Sequence, residues 1–329
     1  MQLVEIDPEN PDPSVIARAA ALLRAGRLVA FPTETVYGLG ANALDAAAVE
    51  RIYEAKGRPA YNPLIVHVAT AAQALTVARE WNDVAERLAR AFWPGPLTIV
   101  LPKRAEVPSI VTAGLDSVAV RVPAHPVARA LLEACGLPLA APSANRSMML
   151  SPTTGAHVAK SLGDAVDLIL DAGPTTVGIE STVIDATTDR PTLLRPGIIA
   201  VPEIEAIVGP IDVATSAGAA AARPSPGMMD RHYSPRGRVI LATAADIAEI
   251  ARRERETGSR VGAVVIRAVV PNILVTRLPA TPDGYAAQLY SALHGLDDAA
   301  CDVIIVERVP GTAEWFGVRD RLERASRTG

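Results

Sequence analysis

The chain has 329 residues, 32 basic and 36 acidic side chains and a formal net charge of −4, and it is 49% hydrophobic and 21% charged. That balance fits a globular chain of about two domains and excludes a mostly disordered chain and the strong cationic footprint of a dedicated duplex binder. Cys135 and Cys301 stand far apart with no His or Cys at ligand spacing, which excludes a disulfide framework and a zinc site.

In chain order, the acidic start from Met1 to Pro8 does not resemble a signal peptide, and no apolar run reaches membrane-spanning length, so a cytoplasmic location is expected. Apolar spacing from Pro13 to Leu23 predicts a helix with Ser14 as an early cap, and Arg27 to Phe31 predicts a strand. Asp45 to Ala55 reads as a helix capped by Asp45, with Val49, Ile52 and Tyr53 as its buried stripe and Gly57 as its stop. Leu64 to Val68 predicts a strand, followed by a helix over Ala71 to Phe92. Further strands are expected at Leu97 to Leu101, Val118 to Val122, Leu137 to Ala141, Leu168 to Asp171, Ser181 to Asp185 and Thr192 to Arg195. Helices are expected over Val127 to Ala134 and Ala156 to Leu162. Strands and helices mix without strict alternation, which favours a twisted, partly antiparallel sheet with covering helices. The alanine-glycine-serine stretch Ala214 to Ala222 and the proline-rich run to Pro235 mark a linker. Beyond it, strands at Arg238 to Thr243, Gly262 to Ala268 and Asp302 to Val306 alternate with helices to about Arg255, over Tyr285 to Leu296 and over Ala313 to Ala325. This is a small α/β unit.

Several segments are suited to chemistry. Gly38-Leu-Gly-Ala-Asn-Ala43 matches a dinucleotide-binding pattern, but six residues separate it from the preceding strand, so a purely conformational glycine turn is the competing reading. Lys56 and Arg58 sit where a helix stops. They can grip phosphates as point charge and planar fork, or Lys56 can complement the helix dipole while Arg58 is solvated. On the phosphate reading they are taken as exposed loop cations, each contributing less than about 1 kcal/mol to folding, whereas a large contribution to stability would favour the helix-end reading. Ala140 to Ser147 places Ser143 and Asn145 directly after a strand, as ligand donors or as loop caps. Arg121 lies in a β-branched strand, where a cation is paired, faces a ligand or points outward from an edge.

Taken in order, Phe31-Pro-Thr-Glu-Thr-Val-Tyr-Gly-Leu-Gly40, Lys56-Gly-Arg58, Asn62-Pro63-Leu64, Trp93-Pro-Gly-Pro-Leu-Thr98, Arg121-Val-Pro123, Pro142-Ser-Ala-Asn145, Ser181-Thr182-Val183 and Leu194-Arg-Pro-Gly197 resemble the two-domain YrdC-like threonylcarbamoyl-AMP synthases. The resemblance spans about residues 10 to 205 and continues in Ser225-Pro-Gly-Met228 and His232-Tyr233. It implies an α/β fold with a YrdC-like twisted open mixed sheet and a smaller Rossmann-like C-terminal domain. The implied division is a catalytic domain over 1–210, a linker and active-site lid over 211–237, and a C-terminal domain over 238–329. The implied reaction joins L-threonine, bicarbonate and ATP into threonylcarbamoyl-adenylate and releases pyrophosphate, with the product passed to tRNA-modifying proteins.

The resemblance also implies site residues. ATP would meet Arg58, Asn62, Ser117, Ser143, Ser151, Arg195 and Tyr233. Threonine would meet Thr35, His67, Arg121, Ala141 and Ser181. Lys56, Arg58, Ser143 and Asn145 would form the catalytic cluster, with Mg²⁺ carried on phosphate oxygens and no protein metal site. One departure is Met148-Met-Leu150, where the family has glycine and a polar residue. A glycine lost at a positive φ would alter the loop to Ser151. The competing readings are an RNA-binding module, or weak RNA contact, through a concave basic face, and a nicotinamide-dependent dehydrogenase. Two isolated cysteines argue against the zinc-bearing hydrogenase-maturation relatives.

Overall fold

The computed structural model describes residues 1–214 and 233–327. Its first unit contains β1 (Gln2–Glu5), α1 (Pro13–Arg24), β2 (Val29–Phe31), β3 (Gly38–Asn42), α2 (Ala46–Lys56), β4 (Ile65–His67), α3 (Ala71–Ala74), α4 (Asp83–Phe92), β5 (Leu97–Pro102), β6 (Ser117–Arg121), α5 (Pro126–Cys135), β7 (Leu139–Ala140), α6 (Gly155–Leu162), β8 (Leu168–Asp171), β9 (Thr182–Asp185), β10 (Thr192–Arg195), α7 (Val201–Val208) and β11 (Asp212–Val213). The second contains β12 (Arg238–Ala242), α8 (Ile247–Glu256), β13 (Val261–Val265), β14 (Leu274–Arg277), α9 (Pro282–Asp298), β15 (Val303–Glu307) and α10 (Phe316–Ser326). The expected segment Ser225 to Met228 and His232 lie outside the described residues, whereas Tyr233 lies within them.

Side-chain caps set several element ends. Asp12, not Ser14, caps α1, accepting from the Ser14 backbone N–H at 2.8 Å, and Ile16, Ala19, Ala20 and Leu23 form the buried stripe. In α2, Asp45 accepts from the N–H groups of Ala47 and Ala48, and Gly57 ends the helix at φ 59°. A side chain there would be strained. The single helix expected over 71–92 is two: Asn82 accepts from Ala85 N–H at 2.9 Å and restarts the chain as α4. Between them, Arg79 N–H donates to the Pro102 carbonyl and turns the backbone toward β5. Gly38 to Asn42 is neither a glycine turn nor a phosphate loop. It is strand β3, antiparallel to β2, and a methyl on Gly40 would stand 2.8 Å from the Phe31 ring.

The eleven strands form one mixed sheet in the order β1-β8-β2-β3-β7-β4-β6-β5-β9-β10-β11. One face buries Ile52, Val66, Val120 and Ile169 under α2 and α6; the other buries Leu23, Val29, Leu131 and Leu170 under α1 and α5. Each such aliphatic side chain contributes about 1.5–3 kcal/mol relative to exposure, so both faces hold the sheet. The second unit is an all-parallel sheet in the order β12-β15-β13-β14, with α8 on one face and α9 and α10 on the other.

The two units share a core. Val36, Leu150 and Ile179 of the first pack in one apolar cluster with Tyr285, Leu289, Leu293 and Leu322 of the second. Backbone meets backbone at two places: a methyl on Gly317 would lie 2.1 Å from the Gly197 carbonyl oxygen, and one on Gly178 would lie 2.3 Å from that of Ala286. His157 of α6 stacks on His294 of α9 with ring centroids 3.8 Å apart.

The residue standing in place of the family's glycine keeps a backbone conformation that favours glycine. Met148 adopts φ 70°, and its carbonyl accepts from Ser234 N–H at 3.1 Å beside a parallel bridge between Met149 and Ser234. A side chain at that φ costs about 1–2 kcal/mol, partly offset because glycine has more freedom to lose on folding. Met148→Gly is therefore expected to raise stability by about 0.5–1 kcal/mol. Thermal unfolding checks this; an unchanged or lower midpoint means the backbone is unstrained.

Candidate active site

The β2–β3 connection, β4, β6, β10 and the segments after β7 and before β9 converge at one small, partly open cavity, and Tyr233 closes it from the start of the second unit. Arg58, Arg121 and Arg195 all line it and all are buried. Three guanidinium groups on one small wall select an anionic occupant.

Arg121, in β6, is held on three sides. Its guanidinium donates to Glu34 Oε1 at 2.6 Å, Thr35 Oγ1 at 2.9 Å and the Gly95 carbonyl at 3.1 Å. Glu34 also accepts from Ala124 N–H, so both its oxygens are used. The cation's direction is thus fixed by groups that a lysine could not all reach.

Neighbouring β4 presents His67, whose backbone registers with Arg121. Burial, helped by the Arg121 cation, pushes this imidazole down to about 3, so it is neutral, and its buried Nδ1 has no hydrogen-bond partner among the described residues. The unfolded chain, with a pKa near 6.5, takes up a proton that the folded chain refuses, so stability falls as pH drops below about 6.5. Between pH 7 and 5 this one group removes about 2 kcal/mol. His67→Gln is expected to lessen the acid loss by that amount in denaturant titrations at the two pH values. Equal losses in both proteins would remove the assignment.

Arg58 extends from the turn after α2 and donates to the carbonyls of Asn62 at 3.1 Å and Pro63 at 2.8 Å. Burial pushes it down to about 10, which leaves it charged at neutral pH. Arg195, in β10, donates to the Ser181 carbonyl at 3.0 Å and to Ser181 Oγ at 3.1 Å, and Ser181 Oγ also meets Thr98 Oγ1 at 2.7 Å. Ser143 and Ala141 complete the wall after β7.

The structure thus brings Thr35, Arg58, His67, Arg121, Ala141, Ser143, Ser181, Arg195 and Tyr233 to one cavity. Other expected residues lie behind or away from it. Lys56 is buried, not an exposed loop cation, and its ammonium donates to the backbone carbonyls of Ser143 and Asn145. It shapes the wall from behind. Asn145 turns its amide nitrogen to the carbonyls of Arg146 and Met149. Asn62 is buried in the turn that Arg58 and the Tyr53 hydroxyl grip. Ser117 begins β6, four residues and so roughly 13 Å from Arg121.

Ser151 is fully buried, with its hydroxyl donating to Glu180 Oε1 at 2.5 Å. Glu180 itself lines the cavity and was not singled out by the sequence reading. Arg321 of α10 donates to its Oε2 at 2.7 Å, and the Tyr290 hydroxyl of α9 at 3.1 Å. Burial pushes the Glu180 carboxyl up, but Arg321 and Arg195 outweigh it and hold the group below its usual value. The available signal was an acid inside the apolar run Gly178 to Val183. Arg321 gave none, because Arg319-Asp-Arg-Leu-Glu-Arg324 reads as a solvated helix face.

Among the described residues, no group of three or more His, Cys, Asp or Glu side chains can hold a metal ion, and no helix is long and apolar enough to cross a membrane. Comparisons with known proteins agree with the geometry. Residues 21–197 match the Sua5/YciO/YrdC family described as "Telomere recombination", and residues 199–327 match the threonylcarbamoyl-AMP synthase C-terminal domain. The threonylcarbamoyl-AMP synthase of Pyrococcus abyssi is 46% identical over 94% of this chain and 93% of its own. That of Bacillus subtilis is 43% identical over 98% of this chain and 95% of its own. The crystal structure of P. abyssi Sua5 complexed with L-threonine superposes with a TM-score of 0.95 at 43% identity, covering 99% of this chain and 98% of that one.

Proposed function

Because this chain belongs to the Sua5/YciO/YrdC family and carries its threonylcarbamoyl-AMP synthase C-terminal domain, we propose that the cavity makes threonylcarbamoyl-AMP from L-threonine, bicarbonate and ATP, releasing pyrophosphate. The observation that carries this reading is the set of three buried guanidinium groups, Arg58, Arg121 and Arg195, on one wall.

The reaction brings two anions together. Threonine's nitrogen takes up the carbon of bicarbonate with loss of water, and the resulting carbamate oxygen attacks the α-phosphorus of ATP, expelling pyrophosphate. Alignment and charge neutralisation are the main tasks left to the protein. In this reading Arg121, oriented by Glu34 and Thr35, faces the threonine carboxylate, with neutral His67 and Ser181 beside it. Arg58 and Arg195 face phosphate, and Ser143 and Tyr233 donate hydrogen bonds. Lys56 and Asn145 keep the 143–149 loop in shape. Asn62, Ser117 and Ser151 enter as nucleotide contacts only by family resemblance, since they do not line the cavity. Mg²⁺ arrives on the nucleotide's phosphate oxygens as part of the substrate.

The enzyme is then a nucleotidyltransferase of the cytoplasm, supplying the adenylate to proteins that form N6-threonylcarbamoyladenosine in tRNA. Pyrophosphate release with each of threonine, bicarbonate and ATP omitted in turn tests the reading. Release is expected only with all three. Release without threonine, or salt-sensitive RNA binding with no release at all, would overturn it.

A further inference from the structure

Resting on that reading, we propose that Glu180 accepts the ammonium group of the amino-acid substrate, and that Arg321 and Tyr290 of the C-terminal unit are the positioning residues that hold it there.

An amino acid enters as a zwitterion, and a buried ammonium is costly unless it meets a hydrogen-bonding partner of opposite charge. Arg58, Arg121 and Arg195 repel that end. Among the described residues lining the cavity, Glu180 is the single carboxylate. Glu34, next to the lining residues Thr33 and Thr35, is consumed by Arg121 and Ala124 N–H. A carboxylate offers about four lone-pair positions. Ser151, Tyr290 and Arg321 occupy three on Glu180, which leaves one for a substrate N–H. When the ammonium has lost its protons and become a carbamate, its remaining N–H can keep the same acceptor.

The grip comes from across the interface. Arg321 is fully buried, donates to the Glu180 carboxylate and, at 3.3 Å, to its carbonyl, and is backed by Asp320 at 2.7 Å. Its guanidinium carbon lies 5.1 Å from the centre of the Tyr233 ring, so the same cation also steadies a second wall residue. The charged and titratable groups facing Glu180 are Arg321, Arg195, Tyr290 and Tyr233, with Asp320 behind Arg321. Without Arg321, the burial that favours the neutral acid is opposed only by Arg195 and the Ser151 hydroxyl, and the carboxyl moves up.

The test is calorimetric binding to the full chain of L-threonine and of 3-hydroxybutanoate, which is threonine without its amino group. Glu180→Gln is expected to weaken threonine about tenfold or more and leave 3-hydroxybutanoate unchanged. Arg321→Met is expected to make threonine affinity pH-dependent, weaker at pH 6 than at pH 8.5, where the wild type is flat. A purely structural role would lower affinity equally at both. Tyr290→Phe is expected to act in the same direction with a smaller shift, and it serves if Arg321→Met does not fold. Wild-type threonine affinity in Glu180→Gln, equal weakening of both ligands, or pH-independent loss in the interface variants overturns this inference alone. No threonine binding by the wild type would overturn the proposed function with it.

Discussion

Lys56→Ala is expected to cost about 2–4 kcal/mol of stability and most of the turnover. The ammonium is buried and holds the carbonyls of Ser143 and Asn145. Removing it leaves those acceptors short of a donor, at about 1–3 kcal/mol each, and frees the wall that carries Ser143. Burial, with the Arg58 cation nearby, pushes Lys56 well below its ordinary value, and its nitrogen is spent on the two backbone carbonyls. Chemical denaturation and pyrophosphate release, measured together, check this. Wild-type stability with lost turnover would put Lys56 on the substrate instead of behind the wall.

A chain ending at residue 214 is expected to fold and yet lose about a hundredfold or more in turnover. The first unit keeps the apolar layers on both faces of its sheet. It loses Tyr233 from the cavity, loses Arg321 and Tyr290 from Glu180, and exposes Val36, Leu150 and Ile179. Circular dichroism should show a cooperative but lower melting transition, and the turnover assay little product. Wild-type turnover by the truncated chain would reduce the second unit to an appendage.

What the sequence made legible was local. Asp45 and Gly57 bracket α2 because capping needs only neighbours, and Leu168–Asp171 and Thr192–Arg195 stand where the apolar runs place them. Even the burial of Lys56 was available, since it continues the spacing of Val49, Ile52 and Tyr53 along one helix face. The short edge strands β1 and β11 left little trace, because exposed Gln2, Glu5 and Asp212 carry no alternation. The 71–92 segment misled because helical spacing persists on both sides of Asn82. Site residues within ordered motifs, from Thr35 to Arg195, were readable together. Glu180 depended on Arg321, 141 residues away, and such a pairing leaves no mark in either local sequence.

The glycine contacts between the units determine how those units can move. Where a single methyl on Gly317 or Gly178 would strike a carbonyl oxygen, backbone lies against backbone with no compliant side chain between. Such surfaces resist sliding, because translation drives one main chain into the other, whereas packed side chains can switch rotamers to permit shear. At these contacts, lifting α9 and α10 away from the 178–181 and 197 segments meets less steric resistance than sliding along them. Arg321 rides on α10 and its partner Glu180 on the cavity wall, so lifting α10 breaks the buried ion pair and strips the wall carboxylate of its cation in one movement.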